Sequence, residues 1–545
     1  MKSISSTAKL VTVVAAASLL VAGLAGCGSG STKPNAATRT LTDLVSTTAP
    51  ATKDVSAVTW NLPYEPASLD PIKTQVFADA PVTSNVCESL FRVGSDLDIS
   101  PNLATSYKQV DPLTWTYQLR SDVTFWDGSP MTSADVVASL ERNIDPNSGS
   151  YWGLEFENVS SITAAGPNAF TIHLTKPDAL VNQVLATSAG AISEASFLAK
   201  AGASYGSAKT GLMCTGPFRF DSWTAGSDIV ISRNDGYWDK SLKAKVGKIT
   251  FRFVSDPSTT SSGLISEEID GMYQVPGAAI PALRKSSSGT LYLGPSTASL
   301  DLIPTERSGP LQNPKVREAL FIALDRSAVA KNVYNDAATP AVSFINPGVG
   351  YGKSVFAGYL KSRPAPTVDQ AKAKTLVKQA ELADSTIKLA TSPDPSLETV
   401  ANAIAAAGNQ IGLKITVVTL TAAENDQLYF DQKLRDQYDG FLNVQWTLTT
   451  DPLEELEFIT KGAFTNYGLY YNTKFQQAFY SALGVTDPKE RAVAAVKAVT
   501  IADHDLPWVP IVNLPVATYV SNKLTGFPTS WAFLYGGWAR SLGGK

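Results

Sequence analysis

The sequence predicts a large mixed α/β protein of two or three domains, with more than one sheet. Three observations predict it. Segments of strand period and helix period alternate from about residue 58 to residue 501. The composition, 44% hydrophobic and 17% charged, is that of an ordinary globular chain. At about 100–200 residues per domain, a chain of 545 residues exceeds one core. No internal repeat of roughly 20–50 residues is visible, which argues against a solenoid.

The chain opens with Lys2 and Lys9 and an uncharged, small-residue run from Leu10 to Leu24. That run is too short and too rich in Ala and Gly for a permanent span, and it reads as a leader. It ends in Leu24-Ala25-Gly26-Cys27, which is similar to the lipobox of bacterial lipoproteins. The resemblance implies a signal peptide over 1–26 and a diacylglyceryl group on Cys27, placing the chain outside the cytoplasm and on the cell membrane. Two acyl chains, at about 0.8 kcal/mol per buried CH₂, suffice for stable anchoring. Residues 27–54 are rich in Ser, Thr, Ala and Pro and are expected to form a flexible tether.

The elements follow in order. Val58-Thr-Trp-Asn-Leu, Thr114-Trp-Thr-Tyr-Gln-Leu and Phe170-Thr-Ile-His-Leu alternate as half-buried strands do. Between the last two, Thr132-Ser-Ala-Asp135 reads as a capping box, with Val136, Val137, Leu140 and Ile144 at helical spacing behind it. Asn313-Pro314 predicts another helix start, carrying Val316, Leu320 and Leu324 inward. Ile387-Lys-Leu-Ala, an Ala-rich helix from about Ser396, and Leu413-Lys-Ile-Thr-Val-Val form a β-α-β unit. A helical pattern recurs from Lys489 to Ile501.

Several chemistries find no material. The formal net charge is −4, two units more negative once Lys2 and Lys9 leave with the leader, and basic runs are missing; nucleic acid is excluded as a partner. Two isolated histidines, His173 and His504, cannot furnish a catalytic triad or a His-based metal site. Gly348-Val-Gly-Tyr-Gly-Lys-Ser354 ends like a phosphate loop, but Pro347 occupies the position of its first glycine and lacks the needed N–H. Asp451-Pro452-Leu-Glu454 reads as a helix start, with Asp451 as cap and Glu454 as the third-turn-residue partner of a capping box. Cys87 and Cys214 remain after Cys27; they form either a disulfide or two buried thiols.

Four ordered stretches carry a resemblance. They are Leu69-Asp70-Pro71 with Cys87-Glu88-Ser89-Leu90 and Pro101-Asn-Leu-Ala104; residues 113–146, with Leu-Arg, Phe-x-Asp-Gly and Ala-Asp-Val; residues 215–239; and residues 314–326. Together the chain resembles the peptide/nickel family (family 5) of extracellular solute-binding proteins, the binding subunits of ATP-driven oligopeptide and dipeptide importers. The resemblance implies a two-lobed, hinged periplasmic-binding-protein-like fold of class II type. Lobe one would span 55–300 with an extra subdomain at about 101–209, lobe two 301–513, and 514–545 would return to lobe one. It further implies a non-enzymatic monomer without cofactor that hands its solute to ABC permease subunits, meeting the ATPase only indirectly.

Site positions come from the same matches. The resemblance places Glu65 beside the ligand, Tyr151 and Trp152 as pocket aromatics, and Tyr273 and Gln274 as a pair lining the cleft. Gln445, Trp446 and Thr447 fall on the strand that hydrogen-bonds extended peptides, and Asn513 lies at the second hinge crossing. The chain departs from the pattern at Thr449, where peptide-binding members carry an Asp that pairs with the ligand's ammonium. A neutral hydroxyl cannot replace a charge-assisted bond, so a modified peptide, a sugar or another organic solute is admissible. Nickel has few suitable ligands here. A surface lipoprotein that senses a ligand without transporting it is the competing reading; a secreted hydrolase lacks its nucleophile and metal residues.

Overall fold

A computed structural model describes residues 44–74, 77–348 and 351–545. The leader, Cys27 and part of the Gly348–Ser354 stretch lie outside them.

Strand β1 (Val55–Leu62) enters the core through Val58, Trp60 and Leu62, as its alternation predicts. A four-stranded antiparallel sheet follows, made of β2 (Ala104–Asp111), β3 (Thr114–Leu119), β4 (Val159–Ala164) and β5 (Ala169–Leu174), in the order β2-β3-β5-β4. Trp115, Tyr117 and Leu119 of β3 and Phe170, Ile172 and Leu174 of β5 all point inward. Tyr117 stacks on Phe170 with ring centroids 4.5 Å apart. His173 is a strand residue opposite Thr114. Helix α1 (Ser133–Ile144) covers this sheet, and its capping box forms: Thr132 N donates to Asp135 Oδ2 at 2.8 Å. Arg142 near its end grips buried Asp70 with two parallel bonds, 2.9 and 2.5 Å.

The large sheet uses strands from both ends of the chain. They are β6 (Phe218–Thr224), β7 (Asp228–Arg233), β8 (Val246–Phe253), β9 (Gly271–Met272), β10 (Gly289–Pro304), β11 (Thr386–Thr391), β12 (Lys414–Thr419), β13 (Gly440–Gln445) and β14 (Val509–Ser521), together with β1. Their order is β12-β11-β13-β10-β14-β9-β1-β8-β7-β6, with Thr339–Pro340 paired beside β14. Helix α2 (Pro314–Ala323) is capped by Asn313, as its sequence predicts. Helix α3 (Pro395–Gln410) joins β11 to β12, which pair in parallel, so the predicted β-α-β unit is present. Two further helices, α4 (Pro452–Glu457) and α5 (Pro488–Asp505), pack below β13.

Strands β10 and β14 are the longest and run together through both cores. Their antiparallel register slips between Gly294 and Ala298. Leu300 and Val512 pack into the core built around α2 and α3, whereas Val516 packs into the core of β1 and α1. We propose the lobe boundary at this slip, where a bend costs no ladder bonds.

Two findings go beyond the sequence reading. The tether expected over 27–54 ends sooner: Val45 N donates to Leu293 O at 2.8 Å, Thr48 N to Phe527 O at 3.1 Å and Thr52 N to Gly544 O at 2.9 Å. This stretch has little to bury, yet β10 and the C-terminal segment offer it backbone acceptors, and those bonds, with the Thr48 and Thr525 hydroxyls, hold it down. Cys87 and Cys214 form a disulfide across 127 residues, resolving the two alternatives.

Candidate functional site

The site grows from the end of β13. Beyond Gln445 the chain turns through Trp446 to Asp451 and enters α4, whose start is as predicted: Asp451 accepts from Leu453 N at 2.9 Å and Pro452 takes the first turn. Glu454 does otherwise. A capping-box Glu reaches back to the cap amide; here the carboxylate accepts from Leu448 N at 2.6 Å, Thr449 N at 2.7 Å and Thr449 Oγ1 at 2.5 Å. The capping-box reading of Glu454 is therefore corrected, and a carboxylate stands at Thr449, the position where the sequence lacks one.

Other groups gather near it. Burial pushes the Glu155 carboxyl up to about 7, and its Oε2 has no hydrogen-bond partner. Burial, with Glu155 and Glu454 among the adjacent charges, pushes Tyr151 up to about 12. The Tyr535 hydroxyl, on a residue only 7% exposed, is unpartnered. Burial raises its pKa most, followed by the charges of Tyr151, Glu454, Asp79 and Glu155. Burial, helped by Glu155, pushes Glu454 up to about 8 against three hydrogen bonds that pull it down. Glu457 is also pushed up to about 8, first by burial and then by Asp178 and Glu454. Glu155 and Glu454 form no ion pair among the described residues. Buried, unpaired acids of this kind hold a proton or wait for a cation.

A pH dependence follows. Unfolded glutamates ionise near pH 4.5, whereas folded Glu155, Glu454 and Glu457 keep their protons until about pH 7–8. Between those limits the folded protein binds more protons, so its stability falls as pH rises. The solute-free protein is expected to melt at lower temperature at about pH 8.5 than at about pH 5.5. Scanning calorimetry across this range would check it, and a flat or rising profile would contradict it.

The structure distributes the remaining expected residues as follows. Trp446 is half-buried and meets Phe77 edge-on at 5.3 Å. Thr447 is buried, donates to Thr449 O at 2.6 Å, and its carbonyl accepts from Thr297 Oγ1. Gln445 donates to Trp446 O and pairs across to Ser299. Tyr151 is 39% exposed, but Trp152 beside it is fully buried and donates to Pro71 O. Tyr273 is a core residue, stacked on Phe533 at 4.1 Å and bonded to Pro528 O. Gln274 follows with φ of 56°, and Asn513 sits within β14 opposite Ser299. The Glu65 carboxylate is taken by Trp223 Nε1 at 2.8 Å and Gly226 N at 3.1 Å, clamping the β6–β7 turn. Tyr151, Trp446, Thr447 and Thr449 thus share one neighbourhood, while Trp152 and Tyr273 support it from the core. Glu155 and Tyr535 are additions that the sequence did not single out, and Glu454 joins them in a role other than the cap its sequence position suggested.

Among the described residues, no three His, Cys, Asp or Glu side chains are close enough together to hold a metal ion, and no helix is long and apolar enough to cross a membrane.

The profile for bacterial extracellular solute-binding proteins, family 5 middle, matches residues 98–466. The glutathione-binding protein GsiB of Escherichia coli K12 is 28% identical over 474 residues, covering 84% of this chain and 89% of that protein. Two solved structures share the fold. The substrate-binding protein CtaP of Listeria monocytogenes has a TM-score of 0.78 at 21% identity, covering 90% of this chain and 99% of that one. The ABC transporter-associated periplasmic binding protein DppA of Helicobacter pylori, in complex with the peptide STSA, has a TM-score of 0.72 at 22% identity, covering 89% of this chain and 98% of that one.

Proposed function

This chain belongs to family 5 of the bacterial extracellular solute-binding proteins, and on that premise we propose that it captures a small peptide or glutathione-like solute through its free amino group. It delivers that solute to the permease subunits of an ABC importer. The observation that carries the reading is the Glu454 carboxylate fixed at Thr449 beside Trp446. The missing Asp had left a modified peptide or sugar admissible. With Glu454 in that place, an incoming ammonium group would meet a carboxyl that ionises as the cation binds, and Tyr151 and Tyr535 would offer hydroxyl acceptors next to it. Binding a cation between buried acids offsets the cost of ionising them.

Closure of the lobes around the guest would bias the chain toward the form a permease recognises, a population shift driven by differential affinity. The lipobox supports anchoring through Cys27 on the outer face of the membrane, with the chain acting as a monomer. A sensing lipoprotein would share the site but not the delivery.

Thermal-shift titration with glutathione, free-amine tripeptides and their N-acetylated counterparts tests the proposal. Free-amine solutes are expected to stabilise the protein by about 2.7 kcal/mol at a hundred times Kd. Equal stabilisation by the acetylated set, or none by any peptide, would sink it. Uptake of the stabilising solute by cells lacking this protein separates the two roles: loss supports import, and unchanged uptake supports sensing.

A further inference from the structure

Arg540 stands out by what its guanidinium lacks. Among the described residues, every other arginine that is not exposed donates to a carboxylate, carbonyl or amide oxygen, as Arg142 does to Asp70 and Arg317 to Leu311 O. Arg540 is half-buried, and its side chain makes neither a hydrogen bond nor an ion pair. Burial lowers its pKa to about 10, and the nearby Arg92 guanidinium pushes the same way. The carboxylates that counter this, Glu88 and Asp239, are engaged elsewhere. Glu88 accepts from Tyr237 Oη at 2.7 Å, Trp238 Nε1 at 2.8 Å and Thr215 Oγ1 at 3.1 Å, and lies 3.9 Å from Arg92. Asp239 accepts from Ser241 N and Oγ. A partly desolvated cation without a partner costs free energy that a bound anion offsets.

Room for an anion exists beside it. Arg540 lines a cavity of about 120 Å³ together with Thr47, Ser95, Gly537 and Ser541, and no Asp or Glu lines it. Ser95 is half-buried and Ser541 exposed, so both are open to solvent, and neither hydroxyl has a hydrogen-bond partner among the described residues. A guanidinium fork and two uncommitted hydroxyls are donors, and donors around a space without carboxylates suit an oxyanion. The volume is well below the roughly 300–1,000 Å³ of pockets for organic solutes, so a small ion fits where a peptide does not. The lining falls within residues 47, 93–95 and 528–541, with none from the 446–457 stretch. This place is therefore separate from the site at Glu454, and it asks for the opposite charge.

We propose that this cavity binds a small tetrahedral oxyanion, either free phosphate or sulfate or the phosphate group of a glycerophosphate, with Arg540 as its forked donor and the Ser95 and Ser541 hydroxyls beside it. Three separate stretches of chain meet there: Thr47 of the docked N-terminal stretch, which bridges to Pro528, the 93–95 turn, and the C-terminal segment. A bound oxyanion would tie the three together and add to the bonds that dock residues 45–53.

Isothermal titration of the intact protein with sodium phosphate and sodium sulfate, at an ionic strength held constant with sodium chloride, tests this. Saturable one-site binding is the expected result. Glycerol 3-phosphate separates the sources: tighter binding than phosphate points to a headgroup, weaker binding to the free ion. Arg540→Gln should weaken binding by about tenfold or more, the scale of a charge-assisted hydrogen bond. Arg540→Lys, which keeps the charge without the fork, should weaken it less. Ser541→Asp, at an exposed position, sets a carboxylate beside the guanidinium and should abolish binding while leaving the core intact. The absence of saturable binding by any of these ions would overturn the proposal. So would binding that survives both Arg540→Gln and Ser541→Asp.

Discussion

Replacing Glu454 with Gln is expected to lower the affinity for a free-amine tripeptide by about a hundredfold, the usual consequence of truncating a buried charge-assisted contact. The reasoning is geometric. The carboxylate is fixed by Leu448 N and by both polar groups of Thr449, so it cannot swing away to find another partner. Glutamine keeps the shape but loses the charge, and it must turn an amide N–H toward a backbone N–H. That local cost falls on every ligand alike, whereas loss of the charge falls on the ammonium. Isothermal titration with a tripeptide and its N-acetylated form separates the two. In the parent protein the free amine should win clearly; in the variant the preference should vanish. A preference that survived the substitution would show that Glu454 does not face the ligand's amino group.

Removing the disulfide should have the largest effect on stability. The Cys87–Cys214 bond closes 127 residues, and cross-linking a loop of that length restricts the unfolded chain by up to about 5 kcal/mol in the chain-entropy account. With both sulfurs buried, Cys87→Ala/Cys214→Ala leaves little void and no stray thiol. The double variant should unfold in urea with a loss of about 3–5 kcal/mol, and the parent treated with dithiothreitol should match it. A loss below about 1 kcal/mol would mean that the unfolded chain is already restricted without the bond.

Local signals were the most legible part of the sequence. The Thr132–Asp135 box and the Asn313 cap are decided within one helical turn, so their residues sufficed to place α1 and α2. The β11-α3-β12 unit was equally readable, since its period changes are abrupt. Glu454 was misread because the same local pattern, Asp-Pro-x-Glu, fits a capping box; the turn at Leu448 and Thr449 outbids the cap for its carboxylate. Glu155 and Tyr535 could not have been paired with it, because only the tertiary fold brings residues so distant in sequence together. Trp152 and Tyr273 show the converse problem. Their positions suggested a cleft, while their bulk and single polar atoms suited the core, and the core took them. Residues 45–53 were read as unattached because they have little apolar content, but backbone bonds and threonine hydroxyls, those of Thr48 and Thr525 among them, dock them.

The slip between Gly294 and Ala298 has a mechanical consequence. Thr297, inside it, donates to the carbonyl of Thr447, one residue from Trp446. With the lobe boundary proposed at this slip, the joint would be a neighbour of the proposed contact surface rather than a remote pivot, and a guest that displaces the 446–449 turn would pull directly on it. Grip and aperture would then become one mechanical variable: whatever tightens the hold would also set the angle between the two halves, with no relay in between.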